Sequence, residues 1–168
     1  MLLGIAELIG RSGGVIPFSA EMDFRDMEFG GSRPVTEPVS ASGELRNEAG
    51  VLLLEGEVAT TLHGVCDRCA KEFTRRIRIP IHAVVETDPD SAAPDDLWTF
   101  TAEDDTVDLD EIVRTAFVLG MDSKLLCKED CKGRCFRCGA DWNLGPCGCK
   151  PEPDPRFAAL QQLLEKKE

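Results

Sequence analysis

The chain has 168 residues, 31 acidic against 19 basic, for a formal net charge of −12, with eight cysteines and no tyrosine. Hydrophobic residues at 42% and charged residues at 30% describe a soluble globular chain rather than a disordered one. The length suits one domain, or one domain with a small appendage, able to bury a core without disulfide staples.

No apolar run nears the roughly 20 residues that span a bilayer. Residues 1–9 are apolar but contain Glu7 and no basic residue, which makes a poor signal peptide. A membrane protein, a secreted disulfide miniprotein and a wholly basic nucleic-acid coat are therefore disfavoured. The expectation is a cytoplasmic chain, where spaced cysteines point to metal more often than to disulfides.

In chain order, Leu2, Leu3, Ile5, Leu8 and Ile9 suit a short helix or strand. Phe18, Ala20, Met22 and Phe24 alternate with polar residues, the period of a half-buried strand. Residues 30–38 read as a loop. Residues 40–45 predict a strand leading into the turn Asn47-Glu48-Ala49-Gly50. A long strand over 51–65 follows, then Cys66-Asp67-Arg68-Cys69, then strict alternation from Phe73 to Val85. Strand, tight CxxC corner and strand make an antiparallel hairpin whose turn is a metal knuckle. Pro80 places the second strand at an edge or a bulge.

Residues 86–111 hold eleven acidic side chains and no basic one. They read as a solvated loop with a short strand at 97–100, where Trp98 is expected in the core. Asp108 is an N-cap candidate, followed by Leu109, Ile112, Val113, Ala116 and Phe117 at helical spacing, with Gly120 as the stop. Asp154-Pro155 opens a closing helix. Residues 124–168 carry nine basic and seven acidic side chains, so this segment is +2 and the first 123 residues are −14. The fold class expected is α+β: an antiparallel β meander or open barrel over residues 1–123, with a helix near 109–119 among a few helices. Residues 124–168 form a cysteine-rich zinc segment plus a C-terminal helix.

The cysteines fall into close pairs: Cys66/Cys69, Cys127/Cys131, Cys135/Cys138 and Cys147/Cys149. Eight thiols in four pairs match two four-thiolate sites, because zinc takes four tetrahedral ligands and a CxxC turn supplies two. Only eight residues separate Cys138 from Cys147, so those two pairs close a compact loop at low entropic cost. Cys66/Cys69 would then join Cys127/Cys131 across 57 residues. The rival grouping puts Cys127/Cys131 with Cys135/Cys138. Four sulfurs leave no open coordination position, so the ion is structural; iron is the chemical rival.

The ordered motifs resemble one family. They are Gly56-Glu57-Val58 leading into Cys66-Asp67-Arg68-Cys69-Ala70-Lys71-Glu72-Phe73, then Leu126-Cys127-Lys128-Glu129-Asp130-Cys131-Lys132-Gly133. Cys135-Phe136-Arg137-Cys138-Gly139-Ala140-Asp141-Trp142-Asn143-Leu144 follows, then Cys147-Gly148-Cys149 and Asp154-Pro155-Arg156-Phe157-Ala158-Ala159-Leu160. This set is similar to the YceD family, the large ribosomal RNA subunit accumulation proteins of bacteria and plastids. The chain departs from the family pattern at Trp142, where leucine is usual, and at Phe136, where proline is frequent. The resemblance implies a role in making or stabilising the main RNA of the large subunit, with no known catalytic activity, while the cysteine arithmetic itself points to two zinc ions. The resemblance also supports the first cysteine grouping, since some relatives keep the first CxxC and a later pair but lack the last four cysteines.

Cations gather beside the cysteines: Arg68, Lys71, Arg75, Arg76 and Arg78 near the first pair, and Lys128, Lys132, Arg134 and Arg137 near the later ones. They are candidate contacts to RNA phosphates, with Phe136 and Trp142 as stacking surfaces. The alternative is ordinary solvated arginines and aromatics packed over the metal loops. Partners expected are large-subunit rRNA or its early ribosomal proteins, without membrane or small-molecule substrate. His63 and His82 read as structural, and no nucleophile-base set or phosphate loop stands out. The expectation is a non-enzyme; a thiol or iron redox protein, and a scaffold holding a ribosomal protein without touching RNA, are the alternatives.

Overall fold

The computed structural model describes residues 1–87 and 98–149. The predicted closing helix after Asp154 lies outside them, as do residues 88–97 of the acidic segment. The chain divides into two compact units. The first comprises Met1–Asp67 and Lys71–Cys127; the second comprises Arg68–Ala70 and the chain from Lys128 on.

The first unit is built on an open five-stranded sheet. Its strands are β2 (Val15–Met22), β3 (Val39–Glu48), β4 (Val51–Val65), β5 (Glu72–Glu86) and β6 (Trp98–Thr101), adjacent in that order, with β1 at Leu2–Gly4 outside the sheet. Strands β2 to β5 form an antiparallel meander, while β6 runs parallel to β5. The sheet does not close into a barrel. Strand β1 pairs antiparallel with β7 (Thr106–Asp108), in a separate two-stranded ribbon.

The β3–β4 turn is narrower than the four-residue turn expected. Glu48 and Val51 pair directly, leaving Ala49 and Gly50 as the two loop residues, with φ values of 53° and 99°. Positive φ at both is what matches a two-residue hairpin to the twist of its strands. Further along, Phe18, Gly43 and Gly56 sit in register across three strands. A Cβ on Gly43 would meet the Glu55 carbonyl and lie 2.6 Å from the Gly56 Cα. The glycine pair therefore leaves room for the Phe18 ring to lie across the two strands.

Period-two burial sorts the sheet into two faces. Leu45, Leu54, Val58, Leu62, Ile79 and Ile81 are buried on one face. On the other, Arg46 joins Glu44 at 2.8 Å, Glu48 at 3.3 Å and Glu55 at 2.5 Å. Pro80, opposite Glu57, lies where β5 has no second neighbour among the described residues, because the β6 register covers only Ala83–Glu86. A residue without an N–H is tolerated at such an open edge.

One helix, α1 (Leu109–Gly120), packs on β5, with further contacts to β4 and β1. The Asp108 side chain accepts the Asp110 N–H at 3.0 Å and caps it. Leu109, Ile112, Val113, Ala116 and Phe117 form its buried stripe. The Phe117 ring lies 5.2 Å from that of Phe24 and 5.7 Å from that of Phe29. Truncating so enclosed a ring costs about 3–5 kcal/mol. Gly120 is the last helical residue and lies against Ile79, where a Cβ would clash with the Ile79 side chain. Trp98, expected in the core, is 37% exposed. It stands at the start of a four-residue edge strand, paired on one side only among the described residues.

Candidate metal centre

The sulfurs of Cys66, Cys69, Cys127 and Cys131 lie within 4.8 Å of one another, as do those of Cys135, Cys138, Cys147 and Cys149. This is the first of the two groupings considered from spacing. A tetrahedral ion with bonds of about 2.3 Å needs sulfur–sulfur edges of about 3.8 Å. Four thiols gathered this closely, with no other donor type, fit one such ion per group. The donor set alone does not distinguish zinc from iron.

Both CxxC pairs use one turn geometry. The Cys66 N–H donates to the Lys71 carbonyl at 2.8 Å, and the Cys135 N–H donates to the Ala140 carbonyl at 2.8 Å. Each bond spans five residues and folds the chain into a knuckle. In each, the residue after the second cysteine is left-handed: Ala70 at φ 54° and Gly139 at φ 73°. Glycine takes that conformation freely, whereas alanine is strained in it by about 1–2 kcal/mol.

A second layer of groups holds the cysteines in place. The Asp67 N–H donates to the Leu125 carbonyl at 2.8 Å, and its carboxylate accepts the Leu125 N–H at 2.6 Å. These two bonds tie the residue after Cys66 to the chain just before Cys127. Arg68 donates to the Cys131 carbonyl at 3.0 Å. The Asn143 amide reaches the Cys131 sulfur at 3.5 Å, and its carbonyl oxygen accepts the Lys132 N–H at 3.0 Å. The Trp142 indole N–H reaches the Cys147 sulfur at 3.4 Å. Such outer bonds orient ligands and tune their basicity. Sequence reasoning missed the supporting roles of Asp67 and Asn143, although both stand inside the cysteine motifs.

The Trp142 indole, above all, holds the Cys147 thiol down to about 6, aided by the Cys149 backbone N–H and by Cys135. Cys149 is pushed up to about 12, first by its hydrogen bond with Cys138 and then by burial. One thiol of the four is thus ready as a thiolate near neutral pH. Binding an ion displaces protons from the others.

The candidate RNA-contacting cations are placed differently from their clustering along the chain. Within β5, Arg75 pairs in register with the buried Leu62, while Arg76 and Arg78 pair with Thr61 and Ala59 and point to the opposite face. Arg75 forms an ion pair with Asp122 at 2.7 Å, and Arg78 with Glu57 at 3.1 Å. Arg76 is exposed, and Lys71 is exposed just beyond the first knuckle. Arg68 braces Cys131, and Lys128 pairs with Asp130 at 3.4 Å. Lys132, Arg134 and Arg137 are exposed. His63 lies beside Thr74, its Nδ1 3.2 Å from the hydroxyl, and His82 is exposed. Among the described residues, no helix is long and apolar enough to cross a membrane.

Fold and site together define a β-sheet protein bearing two four-cysteine groups able to hold metal. Residues 54–164 match the family described as large ribosomal RNA subunit accumulation protein YceD, and the chain belongs to that family. Among curated relatives, an uncharacterized Mycobacterium tuberculosis protein is 29% identical over 121 residues, covering 67% of this chain and 56% of the relative. The chloroplastic large ribosomal RNA subunit accumulation protein YCED homolog 1 of Zea mays is 27% identical over 165 residues, covering 80% and 56%. Its Arabidopsis thaliana counterpart is 24% identical over 162 residues, covering 79% and 50%. The chain spans about half the length of the curated relatives it matches. No solved structure matches it.

Proposed function

We propose that this chain is a non-enzymatic zinc protein that supports accumulation of large-subunit ribosomal RNA, acting in the cytoplasm on that RNA or its early ribosomal proteins. Membership of the YceD family carries the reading. Two closed four-sulfur groups support it, because full protein ligation leaves an ion no position for substrate or water. The metal's part is then to hold each group of four cysteines and its knuckle in shape. The exposed Arg76, Lys132, Arg134 and Arg137 supply cations for phosphate despite the net charge of −12. Depleting the protein should lower the amount of mature large-subunit RNA relative to small-subunit RNA. Unchanged RNA levels after depletion would remove the reading. Two zinc ions per purified chain are expected; iron in their place would move the proposal toward redox chemistry.

A further inference from the structure

We infer that the outward side of residues 132–137 is a seat for single-stranded RNA, with Phe136 as the platform for one unpaired base. Lys132 and Arg134 take the neighbouring phosphates. The inference deepens the proposed function and rests on its RNA branch.

From Cys131 to Phe136 burial alternates without a break. Cys131, Gly133 and Cys135 are buried, while Lys132, Arg134 and Phe136 are exposed. Gly133 is left-handed at φ 78° and residues 136–138 turn, so it is their exposure that sets these side chains on the outside. Two cations, an aromatic ring and Arg137 therefore face solvent within six consecutive residues. The segment is held in shape: the backbones of Arg134 and Asp141 form an isolated antiparallel β-bridge, the Cys135 N–H donates to the Ala140 carbonyl, and the Trp142 backbone N–H donates to the Gly133 carbonyl at 2.9 Å. A preformed seat loses less ordering entropy on binding.

The ring is not demanded by the knuckle. The first knuckle has the same five-residue bond and the same left-handed exit, yet carries Asp67 where the second carries Phe136. Phe136 is 81% exposed, so it contributes little to the core. Leaving a ring in water forgoes the stabilisation that burial would give. Trp142, the other aromatic considered for stacking, is half-buried and directs its N–H to Cys147, so it serves the metal group. Residues 132–140 contain three cations and no acid in a chain of net charge −12. Cations flanking an accessible ring suit a nucleic acid whose bases are unstacked, since a duplex hides the faces that aromatics grip.

The test uses the full metal-loaded chain, an unstructured oligouridylate, and an RNA duplex of equal length. The parent should prefer the single strand. F136A should weaken that binding about 5- to 150-fold, the range set by one base stack of about 1–3 kcal/mol, and F136W should restore it. K132Q/R134Q should reduce the salt slope by about 1.4, since each phosphate contact to a single strand contributes about 0.7. Metal content should be unchanged in all three variants, separating a lost contact from a lost fold. If the parent binds RNA and the variants bind equally well, the seat is wrong and the wider function stands. If the parent binds neither the oligouridylate nor the duplex, the RNA branch fails with it. Loss of affinity for a purified large-subunit ribosomal protein in F136A, with RNA affinity intact, would overturn the inference and assign the segment to a protein.

Discussion

Replacing Asp67 with alanine tests whether the first four-cysteine group depends on its surroundings as well as on its sulfurs. The Asp67 carboxylate accepts the Leu125 N–H at 2.6 Å, and Leu125 is 5% exposed. Removing the acceptor leaves a buried donor without a partner and deletes a hydrogen bond to a charged group, worth about 1.5–3 kcal/mol. That bond exists only when the segment before Cys127 is docked on the first knuckle, so its loss falls on the state that binds metal. At about 1.4 kcal/mol per tenfold, D67A should weaken the first ion's affinity about 10- to 150-fold, comparable to outer-layer effects at other metal centres. Competition with a graded series of chelators reads this directly. The parent should release two ions at similar chelator strength, and D67A should release one early and the other unchanged. A single release indistinguishable from the parent would refute the role given to Asp67. Equal weakening of both ions would refute the independence of the two groups.

Three further outcomes follow from the geometry. C135S/C138S should lower bound metal from two ions per chain to one, measured by elemental analysis; a fall to zero would mean that the groups are not separable. A70G should stabilise the first knuckle by about 1 kcal/mol, because glycine relieves the left-handed strain at φ 54°, and denaturant midpoints or chelator resistance would show it. The Asp108 carboxyl sits below its ordinary value because it accepts the Asp110 N–H, so its side-chain carbon should titrate low by NMR. A carboxylate depressed in the folded state contributes stability that is complete above its unfolded value and is lost as pH falls through the folded one. The deficit of D108A, about 1 kcal/mol at neutral pH for a lost cap, should therefore shrink on acidification; a constant deficit would contradict the capping account.

The parts of this protein that could be read from sequence are those encoded by local period and spacing. The alternation from Phe73 to Val85 marks β5 because each side chain answers to one face of the same sheet. The four cysteine pairs mark two metal groups because chelation needs ligands in pairs. Asp108 and the stripe after it mark α1. What escaped reading depends on distant neighbours. The parallel partner of β5 is only four residues long, and nothing in those residues states which way they run. Pairing of β1 with β7 joins two three-residue strands about a hundred positions apart. Asp67 and Asn143 are polar residues like many others until the fold brings Leu125 and Cys131 to them. The run Arg75–Arg76 shows the opposite error: adjacency in sequence suggested one patch, but on a strand adjacent side chains point apart.

The two groups differ in how much chain they enclose, and this gives them an order in time. Closing the 57-residue span between Cys69 and Cys127 costs about 1.7 kcal/mol more in chain entropy than closing the eight-residue span between Cys138 and Cys147. The nearer group can load its ion as soon as its own few residues have emerged. The farther one encloses β5, β6, β7 and α1, which make up most of the loop it closes. A chain loaded at the nearer group alone has closed its cheaper loop and not its larger one.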